Sequence, residues 1–319
     1  MSKSKSILKV IIPLLLGLLL VWYSLSQISI STLVKYFKDA NYFWIVLGVS
    51  LGVLSHVSRA YRWLFMAEPL GYKPKLVNSF MAVYSAYLIN LTIPRAGEVA
   101  RASILSTYEG VPFDKGLGTI VAERVADTIM LLLIIGVALV LEFDFIYNFL
   151  IEKFNTSALL IGLLVLIVIG GIFFLFIKTS SSSIALKVKK FVNGLIEGTL
   201  SIFKMKKKWP FLFHTVFIWV MYLCMFFITT KALPELQGIT LGTVLIGFIL
   251  ASFSIAATNG GIGSFPEAVV IAFTLFSISE DPSRAFGWIM WSAQTLIIIV
   301  FGGLSLLFLP IYNRKKTNL

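Results

Sequence analysis

Histidine and cysteine are nearly missing from this chain of 319 residues: His56, His214 and Cys224 are all it has. One cysteine closes no internal disulfide, and so few scattered residues supply no His- or Cys-built metal site. Charge is scarce as well, at 13% of residues, with Asp and Glu numbering 15. No GxxxxGK phosphate loop is present. The sequence therefore offers no metal ligand set and no cofactor motif, and we expect no catalytic residues, no metal and no cofactor.

Apolar residues are abundant instead. Mean hydropathy is +0.92 and 58% of residues are hydrophobic, more than a soluble core of this length calls for. The sequence reads as an integral membrane protein, all-α and polytopic. Apolar runs long enough to cross about 30 Å of hydrocarbon, roughly 20 helical residues, lie near 7–26, 42–66, 117–141, 157–178, 209–230 and 286–310. Two more, near 76–93 and 240–258, are each followed by a Gly/Pro break and a short second apolar piece. The expected fold class is about six long spans plus two broken, re-entrant helical hairpins.

The first run follows the basic stretch MSKSKSILK and ends in Trp22 and Tyr23 without a small-residue cleavage site, so it reads as an uncleaved span. With the N-terminus in the cytoplasm, most of the 27 Lys and Arg fall inside, and Lys35, Lys38, Lys153, Lys231 and Arg284 fall outside. The positive-inside bias thus predicts cytoplasmic N- and C-termini in a plasma membrane, expected to be bacterial. It holds only if each hairpin enters and leaves on one side or crosses twice. The unit of span, broken hairpin and span then occurs at about 42–141 and again at about 211–310, within a single transmembrane domain, 1–319. Asn90 maps to Asn259, Glu98 to Glu267 and Gly118 to Gly287. One span between the copies reverses the second, giving an inverted repeat, an arrangement common among transporters.

The stretch NLTIPRAGEVAR, residues 90–101, holds the first break. Pro94 and Gly97 interrupt the helix, and irregular backbone at membrane depth must line a cavity or be buried in protein. Arg95 and Arg101 beside freed N–H groups suit a phosphate or carboxylate. Glu98 and Arg101 are spaced to pair on one face, leaving Arg95 the freer cation. The plain alternative is an interfacial turn with an internal salt bridge. In TNGGIGSFPE, residues 258–267, the glycines allow close approach, Ser264 is placed to cap the next helix and Pro266 suits its first turn. Ser264 and Glu267 have capping-box spacing, so Glu267 serves either the backbone or a coupling ion or headgroup. Asn90 and Asn259 read first as bridges between helices.

In AERVADTIMLLL, Glu123 and Asp127 share a helix face while Arg124 points elsewhere, towards a carboxylate of its own such as Glu98. The two acids either neutralise Arg95 or Arg101, or exchange protons. In SHVSRAYRW, His56, Arg59 and Arg62 share a face. Arg62 reads as a snorkelling residue at the cytoplasmic interface, and Arg59, a turn deeper, as a cavity candidate. From 179 to 208, lysines flank apolar residues at helical spacing, as in a basic amphipathic helix on the cytoplasmic leaflet. The net charge of +12 follows from the positive-inside bias, and no nucleic-acid partner is expected.

Arg59 to Trp63, PRAGEVAR, ERVAD and NGGIGSFPE together resemble the transmembrane region of lysylphosphatidylglycerol synthases and their stand-alone, flippase-like relatives. The resemblance implies movement of lipids with modified headgroups between leaflets. It puts Glu98, Arg101, Glu123, Arg124, Asp127 and Glu267 at the family's polar positions. In full-length synthases an aminoacyl-transferase domain follows; this sequence ends at Leu319 after RKKTNL, and lipid-modifying chemistry is not expected of it. The leading expectation is a translocase for a phospholipid or polyprenyl-phosphate-type lipid, with Arg59, Arg95, Glu98, Arg101, Glu123, Arg124, Asp127, Asn259 and Glu267 as candidate headgroup-binding residues. A secondary transporter of a small anion is the alternative, a membrane-embedded lipid-linked transferase ranks third, and a homodimer stays open.

Overall fold

The computed structural model describes residues 3–93, 95–153, 156–180, 182–183, 185–186, 188–189 and 205–314. Pro94 and most of the 179–208 segment expected to be amphipathic lie outside them. Among the described residues all regular structure is helical. The helices are α1 (Lys3–Ser26), α2 (Ile30–Asp39), α3 (Tyr42–Ala67), α4 (Leu76–Thr92), α5 (Ala96–Glu109), α6 (Phe113–Leu141), α7 (Phe143–Lys153), α8 (Thr156–Thr179), α9 (Lys208–Thr230), α10 (Leu241–Ala257), α11 (Ser264–Thr274) and α12 (Glu280–Tyr312). Four helices among the described residues are long and apolar enough to cross a membrane: α3 with its 3-10 extension to Leu70, α6, α9 and α12. A fifth span arises if Leu15–Ser26 and Ile30–Asp39, bent by 86°, are taken together.

The chain forms two compact units, residues 1–123 with 206–319, and residues 124–205. In the second unit α7 packs on α8. There α6 presents Leu132 and Val140 outward, and α8 presents Leu164 and Phe174. Such apolar exposure is what a helix facing lipid shows.

In the first unit α3 and α9 run antiparallel. At one end the Asn41 N–H donates to Ala232 O (2.9 Å); at the other Lys207 Nζ meets Glu68 Oε2 (2.9 Å). Between them a side chain at Gly48 would strike Thr229, so glycine sets the close approach. The helices start where short polar residues cap them: Asn41 Oδ1 accepts from the Phe43 N–H and Thr240 Oγ1 from the Thr243 N–H.

Helix α4 starts beside the end of α3, where Ser79 Oγ donates to Ala60 O (2.8 Å). It stops at Ile93, whose extended backbone (φ −125°, ψ 111°) is what a residue before proline favours. Helix α5 then folds back on α4. Gly97 is pressed against Ala86 O, its N–H donates to Asn90 Oδ1 (2.8 Å), and Asn78 Nδ2 near the start of α4 donates to Glu109 Oε1 at the end of α5. Helices α10 and α11 form the second hairpin around Thr258–Gly263. There Thr258 Oγ1 accepts from the Gly261 N–H (3.1 Å), and Gly260, Gly261 and Gly263 all take positive φ. A side chain at Gly260 would come within 2.6 Å of Leu91 Cδ2, so the two bends are neighbours. The expected cap differs in detail: α11 begins on Gly263 without a side-chain cap, and Ser264 Oγ pairs with Thr258 Oγ1 (2.9 Å) instead.

Aromatics fill the interior of this unit. Phe226 meets Phe286 edge-on at 5.2 Å and Phe273 stacks on Phe286 at 5.7 Å. All three are fully buried.

Candidate functional site

The polar stripe on α3 is buried. Arg59 and Arg62 lie one turn apart on the same face and both reach Glu123 Oε1 on α6, through Arg59 Nη1 (2.7 Å) and Arg62 Nη2 (2.9 Å). From α5, Arg101 Nη1 donates to the other oxygen, Glu123 Oε2 (2.8 Å). Helical spacing and the fold-back of α5 thus bring three guanidiniums onto one carboxylate that is only 2% exposed. Arg62 is held further by Thr215 Oγ1 (3.0 Å) and lies over the Phe211 ring (5.5 Å). Arg101 lies over the Trp63 ring (5.7 Å), and Trp63 itself is fixed by donating to Thr119 Oγ1 (2.8 Å). The expectation that Arg62 snorkels to the surface is corrected: its side chain is 0% exposed, because α9 packs over it.

Arg101 is not satisfied by Glu123 alone. Its Nε and Nη2 are buried and have no hydrogen-bond partner among the described residues. A buried guanidinium with idle donors is costly, and an acceptor-rich anion would relieve it.

A second ionic group forms around Glu267 on α11. Arg284 Nε donates to Glu267 Oε1 (2.9 Å), and Arg284 Nη2 lies 3.3 Å from Glu267 Oε2 and 3.4 Å from Glu280 Oε2. From α1, Ser24 Oγ donates to Glu267 Oε1 (2.6 Å), and Trp288 Nε1 donates to Ser24 Oγ (3.1 Å). The capping-box role for Glu267 is therefore replaced by an ion pair. Arg284, expected on the outer side, is buried within the protein, in the first turns of α12, which begins at Glu280.

Matching this chain to known families, residues 10–303 fit the model described as the lysylphosphatidylglycerol synthase transmembrane region. The chain belongs to that family. A relative spanning nearly all of it is the UPF0104 membrane protein MJ1595 of Methanocaldococcus jannaschii, 23% identical over 344 residues, covering 97% of this chain and 98% of the relative. The glycosyltransferase AglD of Haloferax volcanii is 26% identical over 134 residues, covering 40% of this chain and 22% of that protein. No solved structure matches the chain. Family membership and the apolar helices together make it an integral membrane protein.

Of the residues singled out from the sequence of this family member, the structure brings Arg59, Arg101 and Glu123 together and sets Glu267 apart with Arg284. Arg95 is exposed and occupies the N-cap of α5 in left-handed backbone, φ 61°. Glu98 is half-buried in the first turn of α5, Arg124 is exposed and Asp127 buried. Asn259 is buried, with Nδ2 lacking a hydrogen-bond partner among the described residues. The helix N-terminus expected to be open to an anion is partly closed, since Asn90 takes the Gly97 N–H. Arg62, Arg284, Ser24 and Trp288 join these groups without having been expected there. Arg62 carries a signal, its spacing from Arg59, whereas Ser24 carries none. No group of three or more His, Cys, Asp or Glu able to hold a metal occurs among the described residues.

Proposed function

We propose that this protein moves a lipid with a phosphate-bearing headgroup between leaflets, without chemistry on the lipid. The observation that carries the reading is Arg101: buried beside Glu123, with Nε and Nη2 unpartnered among the described residues. A phosphate or phosphodiester supplies the missing acceptors in the planar geometry a guanidinium prefers. The headgroup would rest there while its acyl or polyprenyl tails stay among the exposed apolar side chains.

The two hairpins supply the route. Their arms are 17 and 14 residues in one and 17 and 11 in the other. At 1.5 Å per residue these are about 25, 21, 25 and 16 Å long, short of the roughly 30 Å of hydrocarbon. With α3 antiparallel to α9, we read α3–α6 and α9–α12 as oppositely oriented copies. Their hairpins enter from opposite faces and meet where Leu91 touches Gly260. Interrupted helices meeting inside a membrane are a setting for alternating exposure of a polar site. On this reading both termini are cytoplasmic and the protein sits in a plasma membrane.

The test is translocation of a fluorescent phospholipid in proteoliposomes, read by a membrane-impermeant quencher. Arg101→Ala and Glu98→Ala are expected to abolish the protein-dependent rate. Equal rates with and without protein reject the proposal. Uptake of free inorganic phosphate without lipid movement would replace it by anion transport. The relative named as a glycosyltransferase gives a membrane-embedded transferase some footing, and a covalently altered lipid recovered after incubation would favour that reading.

A further inference from the structure

Helix α2 has the pattern of a helix with a buried face, yet it has no buried residue. Ile30, Leu33, Val34 and Phe37 recur at helical spacing and form one stripe, with Lys38 at its edge and Lys35 and Asp39 away from it. Ile30 is 73% exposed and Val34 44%, while Leu33 and Phe37 are half-buried and α2 packs in part on α12. The helix does not lean on neighbours to satisfy its ends: Ser29 Oγ accepts from the Thr32 N–H (3.1 Å), and the Ala40 N–H donates to Tyr36 O (3.0 Å).

Its setting says what meets the stripe. Helix α2 turns by 86° from the end of α1, so where α1 follows the membrane normal, α2 follows the membrane plane. Exposed aromatics stand on both sides of it, Trp22 and Tyr23 at the end of α1, and Tyr42 and Phe43 at the start of α3. Tyr42 Oη donates to Phe37 O (2.8 Å), tying the two levels together. Trp and Tyr gather where hydrocarbon gives way to headgroups.

We infer that α2 lies flat in one leaflet's interface, its Ile30, Leu33, Val34 and Phe37 stripe set about 5–10 Å into the headgroup–acyl boundary. Lys35 and Lys38 extend their stems along the apolar surface and place their ammonium groups among lipid phosphates. The occupant of the stripe is the leaflet itself, because α2 joins two membrane-embedded helices at the level of their interfacial aromatics. This inference rests on membrane embedding and not on lipid translocation, so either stands if the other falls.

Nitroxide labels on Val34→Cys and on Lys35→Cys, each in a Cys224→Ser background, test it in proteoliposomes of phosphatidylethanolamine and phosphatidylglycerol. Electron paramagnetic resonance power saturation should show the label at 34 relaxed several-fold more by oxygen than by a water-soluble nickel chelate, with the preference reversed at 35. Water-like behaviour at both positions overturns the inference. So does lipid-like behaviour at both, and so does protection of position 34 from both reagents, which would mean a protein covers the stripe. Monodisperse elution of each labelled protein confirms that the fold is retained.

Discussion

The two ionic groups use the same side chains in opposite proportion. Around Glu123, three arginines from α3 and α5 converge on one carboxylate, all four side chains being buried. Around Glu267, one arginine is shared between two carboxylates, and Glu280 is 62% exposed. Water can therefore compensate part of the second group and little of the first. The difference teaches that burial alone does not mark a ligand site. Donors are left over in both groups, two on Arg101 (Nε and Nη2) and one on Arg284 (Nη1), and the Glu123 group carries the functional proposal because two idle donors on one guanidinium suit a phosphate better than one.

Removing the hub acid should have the largest effect. Glu123→Ala strands buried guanidiniums and is expected to cost about 3–5 kcal/mol, read as a fall in the thermal unfolding midpoint in detergent. Glu280→Ala in the other group should cost less than about 1 kcal/mol, since an exposed pair is screened by water. Similar losses for the two variants would break the comparison.

The glycines that bring each group's helices together come next. Gly97→Ala drives a methyl into Ala86 O, and Gly287→Ala brings one to 2.5 Å from Pro266 Cα. Each is expected to cost about 1–3 kcal/mol by overpacking. Gly118, matched to Gly287 in the repeat, has nothing within 4 Å of an added Cβ, and Gly118→Ala should stay within about 0.5 kcal/mol. Unfolding midpoints of the three variants check this directly.

Arg101→Lys keeps the charge but loses the planar fork. It should slow headgroup translocation about tenfold, equivalent to ~1.4 kcal/mol, whereas Arg284→Lys should leave the rate nearly unchanged. An unaffected rate in Arg101→Lys would remove the distinction between the groups. A gain in stability is expected at Arg95, a non-glycine residue at φ 61°. Arg95→Gly should stabilise the protein by about 1 kcal/mol by relieving that backbone, measured by the same melts.

Much of the fold is legible in the sequence because membrane helices announce themselves by length and apolarity, and breaks by Gly and Pro. The hairpins at α4–α5 and α10–α11 show themselves through such breaks. The α3 stripe of Arg59 and Arg62 is visible from spacing, but its depth is not. An arginine near a helix end looks the same in sequence whether lipid or α9 lies over it. Likewise, the helix start at Glu280 is hidden because polar first-turn residues resemble a loop, so the burial of Arg284 does not show in the sequence. The pairing of Ser24 with Glu267 joins residues 243 positions apart, and no local pattern encodes it.

Asn78, near the start of α4, and Asn313, just past α12, exchange side-chain amide hydrogen bonds at 2.9 Å in both directions, in the interior. On the ribosome Asn313 follows Asn78 by 235 residues, so the first hairpin waits for that stretch of synthesis with one of its interior amides missing this partner. Final locking of that hairpin thus follows the arrival of the residue just past α12.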